Sequence, residues 1–340
     1  MRNIVDIDFV VTWVNNEDKE WIDSYNFYKK KQSNINFNEN DESRFRDWSI
    51  FNFWFRSVEL YCPWVRKIHL VTCDHYPNWL NLNHPKINLV KHKDIIPNEF
   101  LPTFNSQVIE LFLHNINGLS EHFVYFNDDM FVNSELDEKH FFRDGLPCDT
   151  LFMEPLFQIG NENLWSKVRH NGVSIVNKYF NKKEVGYKNL GKFFNTSYNF
   201  EILLKNFFQF PYGFFSSFHD YHLSQPLLKS SFKDVWFLEE DYLKKCSMNK
   251  FRTSNEVNQY LFRYWHLVQG KFSVIDKSKS GYALFLDENN YYKLPGILNS
   301  KYREICINDG ENTKNFKFLQ SYVLQEFRNK FPEKSKFEVF

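Results

Sequence analysis

Phe123-Val124-Tyr125-Phe126-Asn127-Asp128-Asp129-Met130-Phe131 is a short apolar run that ends in two adjacent carboxylates. Such a run reads as a buried strand feeding a charged loop. In an open α/β sheet ligands sit beyond the carboxyl ends of the strands, which sets Asp128 and Asp129 at the rim of a crevice. Paired hard oxygen ligands there suit Mg²⁺ or Mn²⁺ holding a diphosphate. Asn and Asp are also ordinary turn residues, so the local sequence fits equally well a turn that simply ends the strand.

Working outward, Ile4 to Val14 (IVDIDFVVTWV) is rich in β-branched and aromatic residues and predicts a first strand running into the polar loop Asn15-Asn16-Glu17-Asp18. Glu20 to Lys31 reads as a helix, and Gln32 to Ser43 as a mobile polar loop without apolar periodicity. Arg44-Phe45-Arg46-Asp47 opens a helical pattern that puts Trp48, Phe51, Phe55 and Val58 on one face and is stopped by Pro63. Strands are expected over Val65 to Thr72 and Ile87 to His92, and a short helix over Ser106 to His114 with Ser106 at its N-cap or first position. Strands interleaved with helices predict an α/β fold, a mostly parallel doubly wound sheet, Rossmann-like and GT-A-like, with helical, aromatic-rich additions in the C-terminal half. Nothing matches GxGxxG or a Walker A loop, so phosphates must be met by arginines and a cation.

Beyond Thr150 the texture becomes aromatic. Asn206 to Phe218 (NFFQFPYGFFSSF) is uncharged, but Pro211 and Gly213 break it, which predicts core or a binding groove and excludes a membrane-spanning helix. Asn255 to Gln269 predicts a helix with Val257, Leu261, Tyr264, Trp265 and Val268 at helical spacing. Phe316, Leu319, Val323 and Phe327 form the apolar face of a last helix ended by Pro332, and a second short apolar run, Ile305-Cys306-Ile307, feeds Asn308-Asp309.

Lys+Arg and Asp+Glu both count 42, so there is no bulk positive field of the kind that binds nucleic acid. Aromatic content of 19%, including 39 Phe, excludes a low-complexity or disordered chain. The five cysteines are scattered and show no CxxC pairing, which argues against a disulfide framework or a zinc knuckle and for a reducing cytoplasm. Acids at the N-terminus replace the apolar stretch of a signal peptide, and no window approaches a spanning helix, so a cytoplasmic or peripheral protein is expected.

Read together, these segments resemble the Stealth family, phosphotransferases that make phosphodiester-linked bacterial capsules and include the catalytic subunits of the lysosomal-enzyme N-acetylglucosamine-1-phosphotransferase. All four of that family's regions have counterparts in order: Ile7-Asp8-Phe9-Val10-Val11-Thr12-Trp13-Val14-Asn15; the stretch from Arg44-Phe45-Arg46-Asp47 through Leu101-Pro102-Thr103-Phe104-Asn105-Ser106 to Asn127-Asp128-Asp129-Met130-Phe131; His222-Leu223-Ser224-Gln225-Pro226 with Phe251-Arg252; and Cys306-Ile307-Asn308-Asp309. Residues 150 to 215 carry little of the likeness. One departure is Asn15-Asn16, where the family usually has a Gly after the Asp or Asn.

The resemblance implies transfer of a sugar 1-phosphate from a UDP-sugar to a sugar hydroxyl, in capsular or cell-surface polysaccharide synthesis, with UMP released. The partners it implies are a UDP-sugar donor, an oligosaccharide or polysaccharide acceptor and, at the membrane, capsule assembly proteins. Such a reaction needs a cation on the diphosphate, positive groups on its oxygens and a base near the acceptor hydroxyl. Asp128, Asp129, Asn308 and Asp309 are then the expected Mg²⁺ or Mn²⁺ ligands, with Asp129 also catalytic. His222 is the expected base, or a phosphate-accepting nucleophile, and Arg252 the phosphate clamp. Thr12, Trp13, Asn15, Arg44, Arg46, Arg56, Asn105 and Ser106 are expected near the donor, with Glu110 and His114 behind them. The chain divides on this reading into a nucleotide-sugar core (1–150), a helical aromatic-rich part carrying His222 (151–253) and a C-terminal part (254–340), working as one catalytic unit. An ordinary metal-dependent glycosyltransferase, releasing UDP, and a non-catalytic sugar-binding subunit are the competing readings.

Overall fold

The apolar runs expected as strands lie side by side in one sheet. The computed structural model describes residues 5–31, 46–157, 164–310 and 313–339; Arg44, Phe45 and the 32–43 loop fall outside the described residues. The strands are β1 (Ile7–Thr12), β2 (Ile68–Thr72), β3 (Ile87–Lys91), β4 (His122–Asn127), β5 (Met130–Val132), β6 (Phe142–Arg143), β7 (Leu146–Asp149), β8 (Gln225–Leu228), β9 (Ser273–Val274), β10 (Gly281–Leu286) and β11 (Glu304–Asp309). The helices are α1 (Lys19–Lys31), α2 (Phe51–Tyr61), α3 (His92–Ile95), α4 (Ser106–Leu111), α5 (Leu164–Tyr179), α6 (Lys182–Lys188), α7 (Leu190–Phe193), α8 (Phe200–Gln209), α9 (Lys229–Ser247), α10 (Tyr260–Val268), α11 (Leu294–Leu298) and α12 (Phe316–Lys330).

The main sheet has the order β3-β2-β1-β4-β8. Its pairings are parallel except for β8, which runs antiparallel to β4. All five residues of β2 and the four central residues of β4 are buried, the continuous burial of strands covered on both faces. Period-2 alternation divides the core: Phe9, Val11, Val124 and Phe126 pack on one side with α2 and α12, while Val10, Phe123 and Tyr125 pack on the other with α4, α9 and α10.

This topology positions the site. From β1 the chain winds outward to β2 and β3, then crosses back to β4 on the opposite side of β1, so the winding reverses between β1 and β4. At such a switch point the connecting loops diverge and leave a crevice beyond the strand ends. Thr12 and Asn127, the last residues of the two strands, are paired in register there. A second sheet, β10-β11-β5, then brings a distant segment to the same rim. Met130 pairs with Cys306, and the Ile307 amide donates to the Asp129 carbonyl at 2.9 Å. The two acidic strand ends, Asp128-Asp129 and Asn308-Asp309, therefore lie side by side.

Several boundaries differ from the sequence expectation. The helix expected from Arg44 begins only at Phe51, because the Asp47 carboxylate accepts the Ser49 amide at 2.7 Å in an Asx turn and Ser49 takes φ 57°. Of the two places expected for Ser106, the structure takes the first helical position of α4, with Asn105 as the cap accepting the Gln107 amide. His92 leaves its strand to open α3. Residues 255–259 precede α10 as a loop, since the buried Glu256 carboxylate accepts the Thr253 amide at 2.9 Å. The aromatic stretch 206–218, expected as core or groove, buries Asn206, Phe215, Ser217 and Phe218 but leaves Phe207, Phe208, Tyr212 and Phe214 exposed.

Candidate active site

Asp129 follows the end of β4. Its Oδ2 stands 3.4 Å from Nε2 of His222, and Cys306 of β11 completes a group whose candidate ligand atoms lie within 4.8 Å of one another. Oδ1 of Asp129 is buried with no hydrogen-bond partner among the described residues, and the same is true of Oδ1 of Asp309. Orphaned buried carboxylate oxygens cost free energy unless a cation or donor meets them. Asp309 is reached by Arg46, whose guanidinium lies 3.7 Å from Oδ2, and burial nevertheless pushes the Asp309 carboxyl up to about 6. Asp128 reaches solvent yet stands amid dense protein; desolvation, then the charges of Asp129 and Asp47, push it up to about 8. Three carboxyls thus crowd one point of the rim, where ionising all of them together is unfavourable without a cation.

These oxygens fit a hard divalent cation. Asp128, Asp129, Asn308 and Asp309 offer carboxylate and amide oxygens of the type Mg²⁺ and Mn²⁺ take. Cys306 is fully buried, and burial and the adjacent Asp129 push its thiol well above the usual range, which keeps it protonated and unsuited to ligate such an ion. Sequence reasoning passed over Cys306 as one of five scattered cysteines; its place immediately before Ile307-Asn308-Asp309 was the available signal.

The loop bearing His222 is held from behind. Arg263 of α10 donates to the His219 carbonyl at 3.1 Å and to Asp220 at 2.9 Å, while its other nitrogens grip Asp149 at 2.8 and 3.0 Å. Tyr264 donates to Asp220 at 2.5 Å, Arg169 pairs with it at 2.9 Å, and Gln225 donates to the carbonyls of Tyr221 and Leu223. Asp149 is held far below the carboxylate range by the Arg263 and Lys277 charges, which outweigh its burial. His219, the neighbouring histidine, is occupied by Glu154 at 3.1 Å.

Beneath β1 and β4 runs a polar chain that the sequence did not announce. The Tyr125 hydroxyl meets Oγ1 of Thr12 at 3.1 Å, Oδ1 of Asn127 at 2.8 Å and Oε1 of Glu110 at 3.3 Å. Oε2 of Glu110 accepts the Gln259 amide at 3.0 Å. Burial raises the Glu110 carboxyl to about 7, against the pull of that amide and of the Arg252 and His222 charges. Arg252 and His222 therefore both lie within electrostatic reach of one carboxylate.

Arg252 donates to Oγ of Ser106 at 2.9 Å, at the start of α4. Asn105 is fully buried and donates to Glu256 at 2.9 Å, so its place is beneath this corner. Trp13 stacks on Phe51 with ring centres 5.8 Å apart and lines a cleft of about 700 Å³ with Asp47, Trp79 and Arg328. The Asn15 amide donates to His75 at 2.9 Å, and its side chain accepts the Glu17 amide. Arg56 lines the same cleft, with its guanidinium engaged in a bidentate pair with Glu338 at 2.8 Å on both arms and by the Phe331 carbonyl. His114 packs against Phe232 and Trp236, away from the rim, and burial lowers it to about 4.

Comparison with known proteins adds three findings. The profile described as Stealth protein CR2, conserved region 2, matches residues 44–148. The chain is 43% identical to a capsular polysaccharide phosphotransferase WcwK of Streptococcus pneumoniae over 99% of both chains. It is 37% identical to the receptor polysaccharide phosphotransferase WefC of Streptococcus gordonii, over 98% of this chain and 99% of that one. An exopolysaccharide phosphotransferase, cps2G of Lactiplantibacillus plantarum, is also 37% identical, over 98% and 96%. Among solved structures, an active-site mutant of LgtC aligns over 95% of this chain and 99% of its own at 9% identity and a TM-score of 0.40. The fold assignment rests on the sheet itself.

Proposed function

This chain belongs to the Stealth family of capsular and exopolysaccharide phosphotransferases, and from that premise we propose that it transfers a hexose or N-acetylhexosamine 1-phosphate from a UDP-sugar to a sugar hydroxyl, forming a phosphodiester and releasing UMP. The observation that carries the reading is the approach of His222 Nε2 to Asp129 Oδ2, at 3.4 Å, where two acidic strand ends meet at the switch point of the sheet. His222 takes the proton from the acceptor hydroxyl as its oxygen closes on the β-phosphorus. Asp129, beside the ring, stabilises the imidazolium so formed. Arg252, steadied by Ser106, offers a planar fork to the phosphoryl oxygens and keeps its charge throughout.

Asp128, Asp129, Asn308 and Asp309 are the residues that would hold Mg²⁺ or Mn²⁺. Such an ion, when bound, supplies positive charge to the diphosphate and to the leaving UMP. Arg46, already 3.7 Å from Asp309, is close enough to extend that positive field toward the nucleotide. Trp13 offers a ring face at the end of β1 for the base.

The released nucleotide tests the reading. Purified protein given UDP-sugars, Mg²⁺ and an acceptor oligosaccharide should liberate UMP and leave a phosphorus atom in the product. UDP as the sole nucleotide product would replace the phosphotransferase reading with a glycosyltransferase one.

A further inference from the structure

Helix α8 is built inside out. Ile202 and Asn206 face the protein, Asn206 through bonds from its amide nitrogen to the carbonyls of Leu151 and Phe193 at 2.8 Å. The opposite face, at i, i+4, i+7 and i+8 spacing, carries Phe200, Leu204, Phe207 and Phe208, with the three phenylalanines 78, 64 and 63% exposed. The chain then turns through Pro211 and Gly213 and presents Tyr212 and Phe214, 64 and 69% exposed. Single exposed apolar residues are common, but a contiguous aromatic edge on one helix face and the turn beyond it marks an interaction surface.

What borders this edge identifies its partner. Helix α6 packs beside it: Tyr187, itself 72% exposed, lies 6.0 Å from the Phe210 ring, and Lys183 and Lys188 stand exposed on the same helix, whereas Lys182 is buried with its ammonium on the Gln209 carbonyl. Lys178 and Lys183 share a surface recess with Gly213 and Phe214. Between residues 164 and 218 the chain carries eight Lys or Arg against two Glu, and although Arg169, Lys178 and Lys205 are paired with carboxylates and Lys182 and Lys192 with carbonyls, Lys183 and Lys188 remain exposed beside the aromatic edge. Aromatic side chains projecting from a helix and a turn tip, rimmed by lysines, match the anionic interface of a bilayer, where rings enter the headgroup layer and ammonium groups meet lipid phosphates.

We propose that the aromatic edge of α8 and the 210–214 turn, with Lys183 and Lys188 of α6, docks this protein on an anionic lipid bilayer. No helix among the described residues is long and apolar enough to cross a membrane, so the contact is interfacial. The proposal does not depend on the reaction assigned above.

Flotation of the full chain with vesicles of phosphatidylcholine containing 30% phosphatidylglycerol tests it, with pure phosphatidylcholine vesicles alongside. The wild type should float with the anionic vesicles and bind neutral ones at least tenfold more weakly. Phe207→Ser/Phe208→Ser/Phe214→Ser should lower partitioning at least tenfold, and Lys183→Glu/Lys188→Glu should do so in a salt-dependent manner. Because all five side chains are exposed, both variants should keep the wild-type melting temperature, and Phe237→Ser, at an exposed phenylalanine of α9, should bind vesicles like the wild type. The proposal is overturned if the wild type stays unbound with anionic vesicles, or if the two variants bind them as it does. It is equally overturned if the serine variant instead dissociates a dimer, or loses binding of a soluble acceptor oligosaccharide, while vesicle partitioning is unchanged.

Discussion

Asp129 and Asp149 both stand at strand boundaries of this fold, yet their surroundings are opposite. Asp149 is wholly buried and saturated: Arg263 holds it with two bonds, and the Thr150 amide adds a third at 2.7 Å. Asp129 meets His222 at the long distance of 3.4 Å and leaves its other oxygen orphaned among the described residues. A saturated buried ion pair fixes shape, since removing one partner strands a charge. An unsaturated carboxylate cluster at a sheet rim holds instead a capacity to bind, paid for by the stability of the rest. The same residue type therefore serves architecture at one site and chemistry at the other.

That contrast breaks if the two sites respond alike to mutation. Asp129→Asn and His222→Ala should each lower turnover by about 10³-fold, the scale of a lost cation ligand or general base. Their melting temperatures should stay within a few degrees of wild type. Steady-state rates with saturating acceptor and differential scanning calorimetry on the same preparations check both halves. If either variant kept the wild-type rate, or unfolded at the temperature where Asp149 variants do, the rim would be structural.

Arg263→Met should behave in the reverse manner. It takes away both guanidinium bonds of the buried Asp149 while Asp220 keeps Arg169 and Tyr264, and breaking such a buried pair costs about 3 to 5 kcal/mol. Urea unfolding should show it, with residual activity following the folded fraction. A stable Arg263→Met protein with selectively lost turnover would move the cluster from architecture to mechanism.

Glu256 is an intermediate case, buried with neutral donors and no ion pair of its own among the described residues. Its carboxyl is raised by burial to about 7 from 4.5, so the native state holds the proton longer than the unfolded chain. With the folded value above the unfolded one for an acid, stability is greatest below 4.5 and declines as pH rises toward and through 7. Between pH 5.5 and 8 this amounts to about 2 kcal/mol. Glu256→Gln should remove that slope, measured as the difference in unfolding free energy from wild type at the two pH values. An unchanged slope would mean that Glu256 is ionised in the fold like Asp149.

How far the sequence reaches can be followed residue by residue. The strands β1, β2, β3 and β4 were legible because buried strands in a parallel sheet read as β-branched and aromatic runs, and Pro63 and Pro332 marked helix ends correctly. Boundaries failed where a side chain competed with the backbone: Asp47 turning the chain at Ser49, and Glu256 holding a loop before α10. The sequence left 206–218 open between core and groove, and the structure divides it, because an uncharged aromatic run carries no label for which face meets solvent. At the rim, Asp128-Asp129 and Asn308-Asp309 were each visible as strand ends, whereas Cys306 beside Asp129 and the Tyr125–Glu110 chain were not.

The sequence alone determined the local grammar: which segments are strands, that acids follow two of them, that no glycine-rich phosphate loop exists, and that the order of motifs is that of one family. Those are properties of near neighbours in the chain, set by side-chain shape and period. Only the tertiary structure decided that β11 pairs with β5, that His222 turns toward Asp129 while His219 turns to Glu154, and that Arg56 is spent on Glu338. These depend on contacts between residues far apart in the chain, whose closure is driven by burial of the whole core and leaves no periodic trace in either partner.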